Sequence, residues 1–292
     1  MNWRRSDIPP LSETQFRSWQ SLLEERTGMY IPFERRSLLQ SSLAIRMREI
    51  ACVDYEEYLA KVLEKPAGVM EWSTLIDRLM VRETRFCRNT ESLALVQRFL
   101  TARIANKPEG APMNIWSVGC CTGEEPYSLA IVCNEAYLAN KREPRFGISG
   151  TDISLSALQI ARTGEYSRRQ MSNMNQAWVE RYFEQTTEEK FAVQSVLKQK
   201  VCFSMSNIVD IEKNPLRNLD VIYCQNVLVY FREEKKTKVL DSLAERLAPG
   251  GLLVIAQGET SKWRHPSLEK VDDNLTLAFV RKESPVTTQI TH

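Results

Sequence analysis

The stretch "WSVGCCTGEEPYSLAIV", residues 116–132, constrains this chain more than any other. An apolar run ends in a small-residue loop with two glycines, Gly119 and Gly123, and a helical pattern starts directly behind it. Strand, glycine loop and helix in that order form the mononucleotide-binding unit of α/β sheets, with the helix N-terminus facing the ligand. Pro126 suits the first turn of such a helix. Yet Glu124 and Glu125 stand where a nucleotide would put its phosphate. A carboxylate about 4 Å from a phosphate charge, at an effective dielectric of about 20, costs about 4 kcal/mol. No G-K-[ST] follows to hold a triphosphate. A nucleoside ligand without phosphate and with positive charge fits better, and S-adenosylmethionine, with its sulfonium and ammonium, is one.

Asp152 strengthens this reading. It ends a second apolar run, "GISGTDIS", 29 residues beyond Gly123, where an acidic side chain accepts hydrogen bonds from both ribose hydroxyls. Each feature alone has a plainer explanation: the glutamates complement a helix dipole, and Asp152 caps the next helix. Together, inside an alternating run, they favour a nucleoside site. Strands are expected at 114–118, 146–150, 201–204, 221–224, 252–256 and 275–280, and helices at 125–139, 154–163 and 233–247. That order predicts a parallel, doubly wound α/β sheet. Residues 176–205 break it. "AWVERYF" reads as helix and "FAVQSVLKQKVCF" alternates like a hairpin, so a small antiparallel insertion on the sheet's edge is expected.

Ahead of the sheet the pattern is helical. Ser12 with Gln15 three residues on is a capping box, and Gly28 is a stop signal. A second helix is expected over 33–50, a third from Asp54 to Leu63 and a fourth over 69–80, with an amphipathic helix at 90–105 leading into the sheet. The expected division is an all-helical domain over 11–90, a ligand-binding domain over 91–282 and a flexible tail over 283–292, with a loose arm before residue 11. Lys plus Arg number 39 and Asp plus Glu 37, a net charge of +2, which argues against a broad nucleic-acid footprint. Seven cysteines without a Cys-x-x-Cys pair, and two isolated histidines, suggest reduced, buried thiols in a cytoplasmic chain and no metal centre. No apolar run approaches the roughly 20 residues of a membrane span.

Several stretches resemble one family, the chemotaxis-receptor glutamate methyltransferases of the CheR type. "WSVGCCTGEEPYSLAI" resembles that family's W-S-A-G-C-S-T-G-E-E-P-Y-S-L-A, and "GTDISLSALQIARTGEYS" its second-strand motif. "DVIYCQNVLVYF" resembles D-V-I-F-C-R-N-V-L-I-Y-F, "LAPGGLLVIAQGET" resembles L-K-P-G-G-x-L-x-x-G-x-x-E, and "RETRFCRN" resembles N-E-T-x-F-F-R-E. The resemblance spans roughly residues 12–282. It implies a helical domain packed on a class I S-adenosylmethionine-dependent methyltransferase (Rossmann-like) sheet, and methyl-ester formation on glutamates in a chemoreceptor's cytoplasmic coiled coil. Carried over by position, the cofactor residues are Arg82, Thr84 and Arg88 in the linker, then Gly119, Glu124 or Glu125, and Asp152. Asn207 with Ile208, and Gln225, Asn226 and Val227, follow the third and fourth strands. Among the departures from the pattern are Arg82 for asparagine, Cys87 for phenylalanine and Gln225 for arginine.

A glutamate is already ionised at neutral pH and a sulfonium is a good methyl donor, so the protein needs mainly to align the reactants. Arg88 and Tyr230 are the candidate catalytic positioners, and no cysteine nucleophile is required. Arg35, Arg36, Arg46 and Arg48 on the second helix are the candidate receptor-docking cations. "FEQTTEEKFAV" has no glycine and looks short, which predicts recognition without the receptor tail-peptide tethering used by some family members. Competing readings are a degenerate, non-catalytic cofactor- or receptor-binding module, a small-molecule or RNA methyltransferase, and a nicotinamide-dependent reductase.

Overall fold

The structure, a computed structural model, describes residues 9–80, 83–260 and 262–283. The arm and tail expected at the two ends lie outside the described residues, apart from Pro9, Pro10 and Glu283.

The first half of the fold is helical because its apolar residues recur at helical spacing between strong caps. Helix α1 (Glu13–Thr27) starts in the Ser12–Gln15 capping box and stops at Gly28, whose φ of 78° is left-handed. A 3-10 turn, Phe33–Arg35, leads into α2 (Arg36–Glu49); α3 (Tyr55–Leu63) is capped by Asp54, and α4 (Ala67–Leu79) follows. Phe16, Trp19, Leu39, Leu43 and Tyr58 close their core at 0–1% exposure. Arg46 clamps this bundle. Its guanidinium donates twice to Glu71 of α4, at 2.7 and 2.6 Å, and once to Glu49 at 2.8 Å.

Helix α5 (Thr90–Asn106), capped by Asn89, leads into β1 (Met113–Val118), α6 (Glu124–Ala139), β2 (Phe146–Asp152) and α7 (Leu155–Thr163). There follow β3 (Glu165–Ser167), α8 (Gln176–Tyr182), β4 (Phe183–Gln185), β5 (Lys190–Val193), α9 (Ser195–Lys198) and β6 (Val201–Met205). The chain ends with β7 (Leu219–Cys224), α10 (Glu233–Arg246), β8 (Leu247–Ile255), β9 (Leu268–Lys270) and β10 (Leu277–Arg281). The large sheet has the order β6-β2-β1-β7-β8-β10-β9. Its strands are parallel from β6 to β8, and β10 and β9 run antiparallel. Strand order therefore reverses between β1 and β7, where a doubly wound sheet opens its ligand crevice.

The hairpin expected in "FAVQSVLKQKVCF" is not formed. Residues 195–198 turn through α9, which buries Leu197, and β6 joins the large sheet beside β2 as its edge. Only β5 enters the small antiparallel sheet, order β3-β5-β4, as its central strand, with one edge from "EYS" at 165–167 and the other from β4. Period-two alternation marks a half-buried strand without naming its partner, and an edge strand of a parallel sheet gives the same signal as a hairpin arm.

Candidate active site

The loop after β1 lies at the reversal point, and its backbone geometry decides what binds there. Gly119 (φ 72°) leaves no room for a Cβ beside Val227, and a Cβ on Gly123 (φ 96°) would lie 2.8 Å from Tyr166 Oη and Ala161 Cβ. The loop amides are already used. Gly119 and Cys120 N–H donate to the Thr151 carbonyl at 2.8 and 2.9 Å, and Cys121 N–H donates to Asp152 Oδ2 at 2.8 Å. These three amides are turned into the second strand and are not free for a phosphate. Asp152 also accepts Ser154 N–H on Oδ1 at 2.9 Å, so its carboxylate is fixed at the carboxyl end of β2.

Two cavities meet at this loop. The first, of about 920 Å³, is walled by Trp116, Val118, Ile153, Ile208, Val227 and Phe231, with Asp152 among its polar groups and no lysine, arginine or histidine in its described lining. A largely apolar pocket with a carboxylate and several neutral polar groups suits an adenosine better than a pyrophosphate. The second, of about 610 Å³, is polar: Thr84, Arg88, Glu125, Tyr223 and Gln225 line it. Gly119, Cys121 and Asn226 belong to both walls, so a ligand can run from one cavity into the other past the glycine loop.

The two glutamates of the loop separate. Glu125 lines the second cavity, holds the Ser117 hydroxyl at 2.7 Å on Oε1, and is pushed by burial up to about 8. Arg88 acts on it in the opposite sense. Glu124 corrects the expectation of a pair at the ligand. It is wholly buried, with Oε2 taking the Thr122 hydroxyl at 2.7 Å and Oε1 the Gln170 amide at 2.6 Å. Its carboxylate ties the loop to the 3-10 turn after β3 and faces neither cavity.

Of the other expected residues, Ile208, Val227 and Tyr230 line the first cavity, Thr84, Arg88 and Gln225 the second, and Asn226 both. Asn226 holds a left-handed φ of 62°, one of the few backbone settings that asparagine takes with little strain. Asn207 borders the first cavity, but its side chain is committed: Nδ2 donates to the Arg26 carbonyl at 2.6 Å and Oδ1 caps Val209 N–H at 3.3 Å. These bonds tie Asn207 to the helical domain and to the turn that follows it. Arg88 is exposed and anchored by one bond to the Glu83 carbonyl at 2.7 Å. Arg82 lies outside the described residues. Burial raises the thiols of Cys120 and Cys121, the latter to about 11, so both are protonated at neutral pH. Arg35 is exposed and Arg36 stacks over Phe33 at 5.2 Å, whereas Arg46 is bound inside the helical bundle and Arg48 lies half-buried on the same helix.

Two contributions went unnoticed in the sequence. Thr27, Met29 and Met80 from the helical domain complete the first cavity, and no local pattern announces them. Glu259, within "QGET", is fully buried. Its Oε1 accepts Leu228 N–H at 2.8 Å and Val229 N–H at 3.3 Å, and Oε2 accepts Ala256 N–H at 3.1 Å. It thereby shapes the segment carrying Asn226, Val227 and Tyr230.

A reversed parallel sheet, an acidic pocket without lysine, arginine or histidine in its described lining and a polar cavity beside it suit the class of S-adenosylmethionine-dependent methyltransferases. Residues 82–274 match the family model described as CheR methyltransferase, SAM binding domain, and residues 14–80 match CheR methyltransferase, all-alpha domain. The chain belongs to the CheR methyltransferase family. Similar relatives include the chemotaxis protein methyltransferase of Borreliella burgdorferi, 30% identical over 80% of this chain and 83% of the relative. That of Klebsiella aerogenes is 28% identical over 86% and 84%, and that of Escherichia coli 28% identical over 85% and 85%. No helix of the described residues is long and apolar enough to cross a membrane.

Proposed function

We propose that this protein forms methyl esters on glutamate side chains in the cytoplasmic region of chemoreceptors and so tunes a chemosensory pathway. The observation that carries this reading is the pair of joined cavities: an acidic nucleoside pocket opening past Gly119 and Asn226 into a chamber that holds Arg88 and Glu125. Asp152 takes the ribose hydroxyls, Ile208 and Val227 flank the adenine, and Glu125 meets the ammonium of the donor's methionine end. Bound S-adenosylmethionine supplies a sulfonium-activated methyl carbon. Arg88 attracts the acceptor carboxylate, and Tyr230 and Asn226 fix the approach from the other side. Charge is neutralised in the reaction, so alignment and exclusion of water carry the rate. No proton needs to be taken from the acceptor, which matches thiols held protonated beside the loop.

Arg35 and Arg36, at the start of α2, are the docking cations for an acidic receptor surface in the cytoplasm. The turn between β4 and β5, residues 186–189, is short and glycine-free, which supports docking without a tail-peptide tether. Tight binding of a labelled receptor tail pentapeptide would overturn that part. The test of the whole reading is transfer of labelled methyl to receptor-containing membranes, with the product expected to be base-labile.

A further inference from the structure

Gln225 follows β7 directly and is 6% exposed. Its Oε1 accepts the Tyr223 hydroxyl at 3.0 Å, and that hydroxyl is also in close contact with Ser92 Oγ of α5. Ser92 is itself fixed, its N–H donating to Asn89 Oδ1 at 3.1 Å. The carboxamide is thus held from one side, leaving Nε2 buried and without an acceptor in the wall shared with Arg88, Glu125 and Asn226. A buried amide donor without a partner is an unfavourable state of the empty protein, and a ligand oxygen relieves it.

Both partners of a methyl transfer to glutamate bring a carboxylate into this chamber. One is the α-carboxylate at the donor's methionine end and the other is the acceptor side chain. Each has only acceptor oxygens when ionised. The arginine of the related motif would answer such a group with a full charge. Here the position holds a neutral amide, and Arg88 is the cation whose charge acts on Glu125.

We propose that the Gln225 amide, oriented by Tyr223 and Ser92, is a carboxylate-binding donor of the second cavity. The proposal rests on the methyl-transfer reading above, and it names a contact that determines how firmly an anionic group is seated beside Glu125. Gln225→Met keeps the volume and removes the donor, and Gln225→Glu sets a carboxylate against the ligand's own. Tyr223→Phe removes only the group that orients the amide.

The experiment uses the full-length chain. Calorimetry with S-adenosylhomocysteine reads the cofactor carboxylate, and methyl-transfer kinetics at saturating donor read the acceptor. Q225M is expected to weaken one of these by about tenfold, the value of one bond to a charged group. Q225E weakens the same parameter further, and Y223F does so less; Y223F also lowers the thermal midpoint, so its binding is read on the folded protein. A loss confined to the dissociation constant assigns the donor's carboxylate; a loss confined to the receptor KM assigns the glutamate. If Q225M and Q225E both leave each parameter within about twofold, or if Q225E tightens S-adenosylhomocysteine, the proposal is overturned. If the wild-type protein transfers no methyl group, the functional reading falls on its own, and Gln225 is decided by calorimetry alone: weaker binding in Q225M keeps the contact, unchanged binding removes it.

Discussion

Glu124 and Glu125 are adjacent in sequence and opposite in role, because neighbouring positions on a helix point about 100° apart. The sequence set the pair against a phosphate; it could not say which carboxylate lines a cavity, since that depends on Thr122 and Gln170 closing around Glu124. Asp152, by contrast, was legible from its place at a strand end. Glu125 carries a pH signature. Folded, it keeps its proton up to about 8, against an ordinary 4.5. An arriving ammonium favours the carboxylate, so binding near pH 7 is expected to release a proton and to strengthen as pH rises toward 8. Calorimetry in two buffers of different ionisation enthalpy measures that release, and Glu125→Gln should abolish it while weakening binding by about 2 kcal/mol. The same raised value gives the empty protein a contribution to stability that is fully present below 4.5 and is lost as pH climbs through about 8. Gly119→Ala is expected to push Val227 into the passage between the cavities, lowering cofactor affinity at least tenfold by calorimetry while leaving secondary structure intact.

Helices were the most legible elements, because Ser12, Asp54 and Asn89 announce their starts by side chains that do cap them. Strands β1, β2 and β7 were legible as apolar runs before turns. The small sheet was half legible, since β3 is only three residues long and pairs with a strand 23 residues further on, a relation that no local pattern encodes. The 226–230 segment shows what an element hides. "NVLVY" reads as a strand ending, yet its shape depends on Glu259 gathering backbone amides from two loops. Glu259→Ala would leave those buried donors without an acceptor, at a cost of about 3 kcal/mol. Urea melts should show that loss, and methyl-transfer assays on the folded fraction should show a lower kcat as Asn226 and Tyr230 lose their setting.

The helical half and the sheet both line the first cavity, and this was the least legible feature of the chain. The helical domain reaches the sheet through Asn207 holding the Arg26 carbonyl and through Tyr30 N–H donating to the Tyr230 carbonyl at 2.8 Å. Gly28 lies directly against Phe231, so close that any Cβ would collide. Met29 and Met80 thereby become walls of the nucleoside cavity, a role that exists only once the domains have docked. The double variant Met29→Ala with Met80→Ala is expected to weaken S-adenosylhomocysteine about tenfold, read by calorimetry, through lost apolar contact. If affinity is unchanged, the helical domain is not part of the pocket. The central claim is that donor and acceptor meet at the junction of the two cavities to esterify a receptor glutamate. Its most direct measurement is incubation of the full chain with methyl-tritiated S-adenosylmethionine and receptor-rich membranes, followed by alkali. Label is expected on the receptor, released as methanol by base and absent with Arg88→Ala. Label that survives base, or a receptor left unlabelled by a protein that binds the donor, would contradict it.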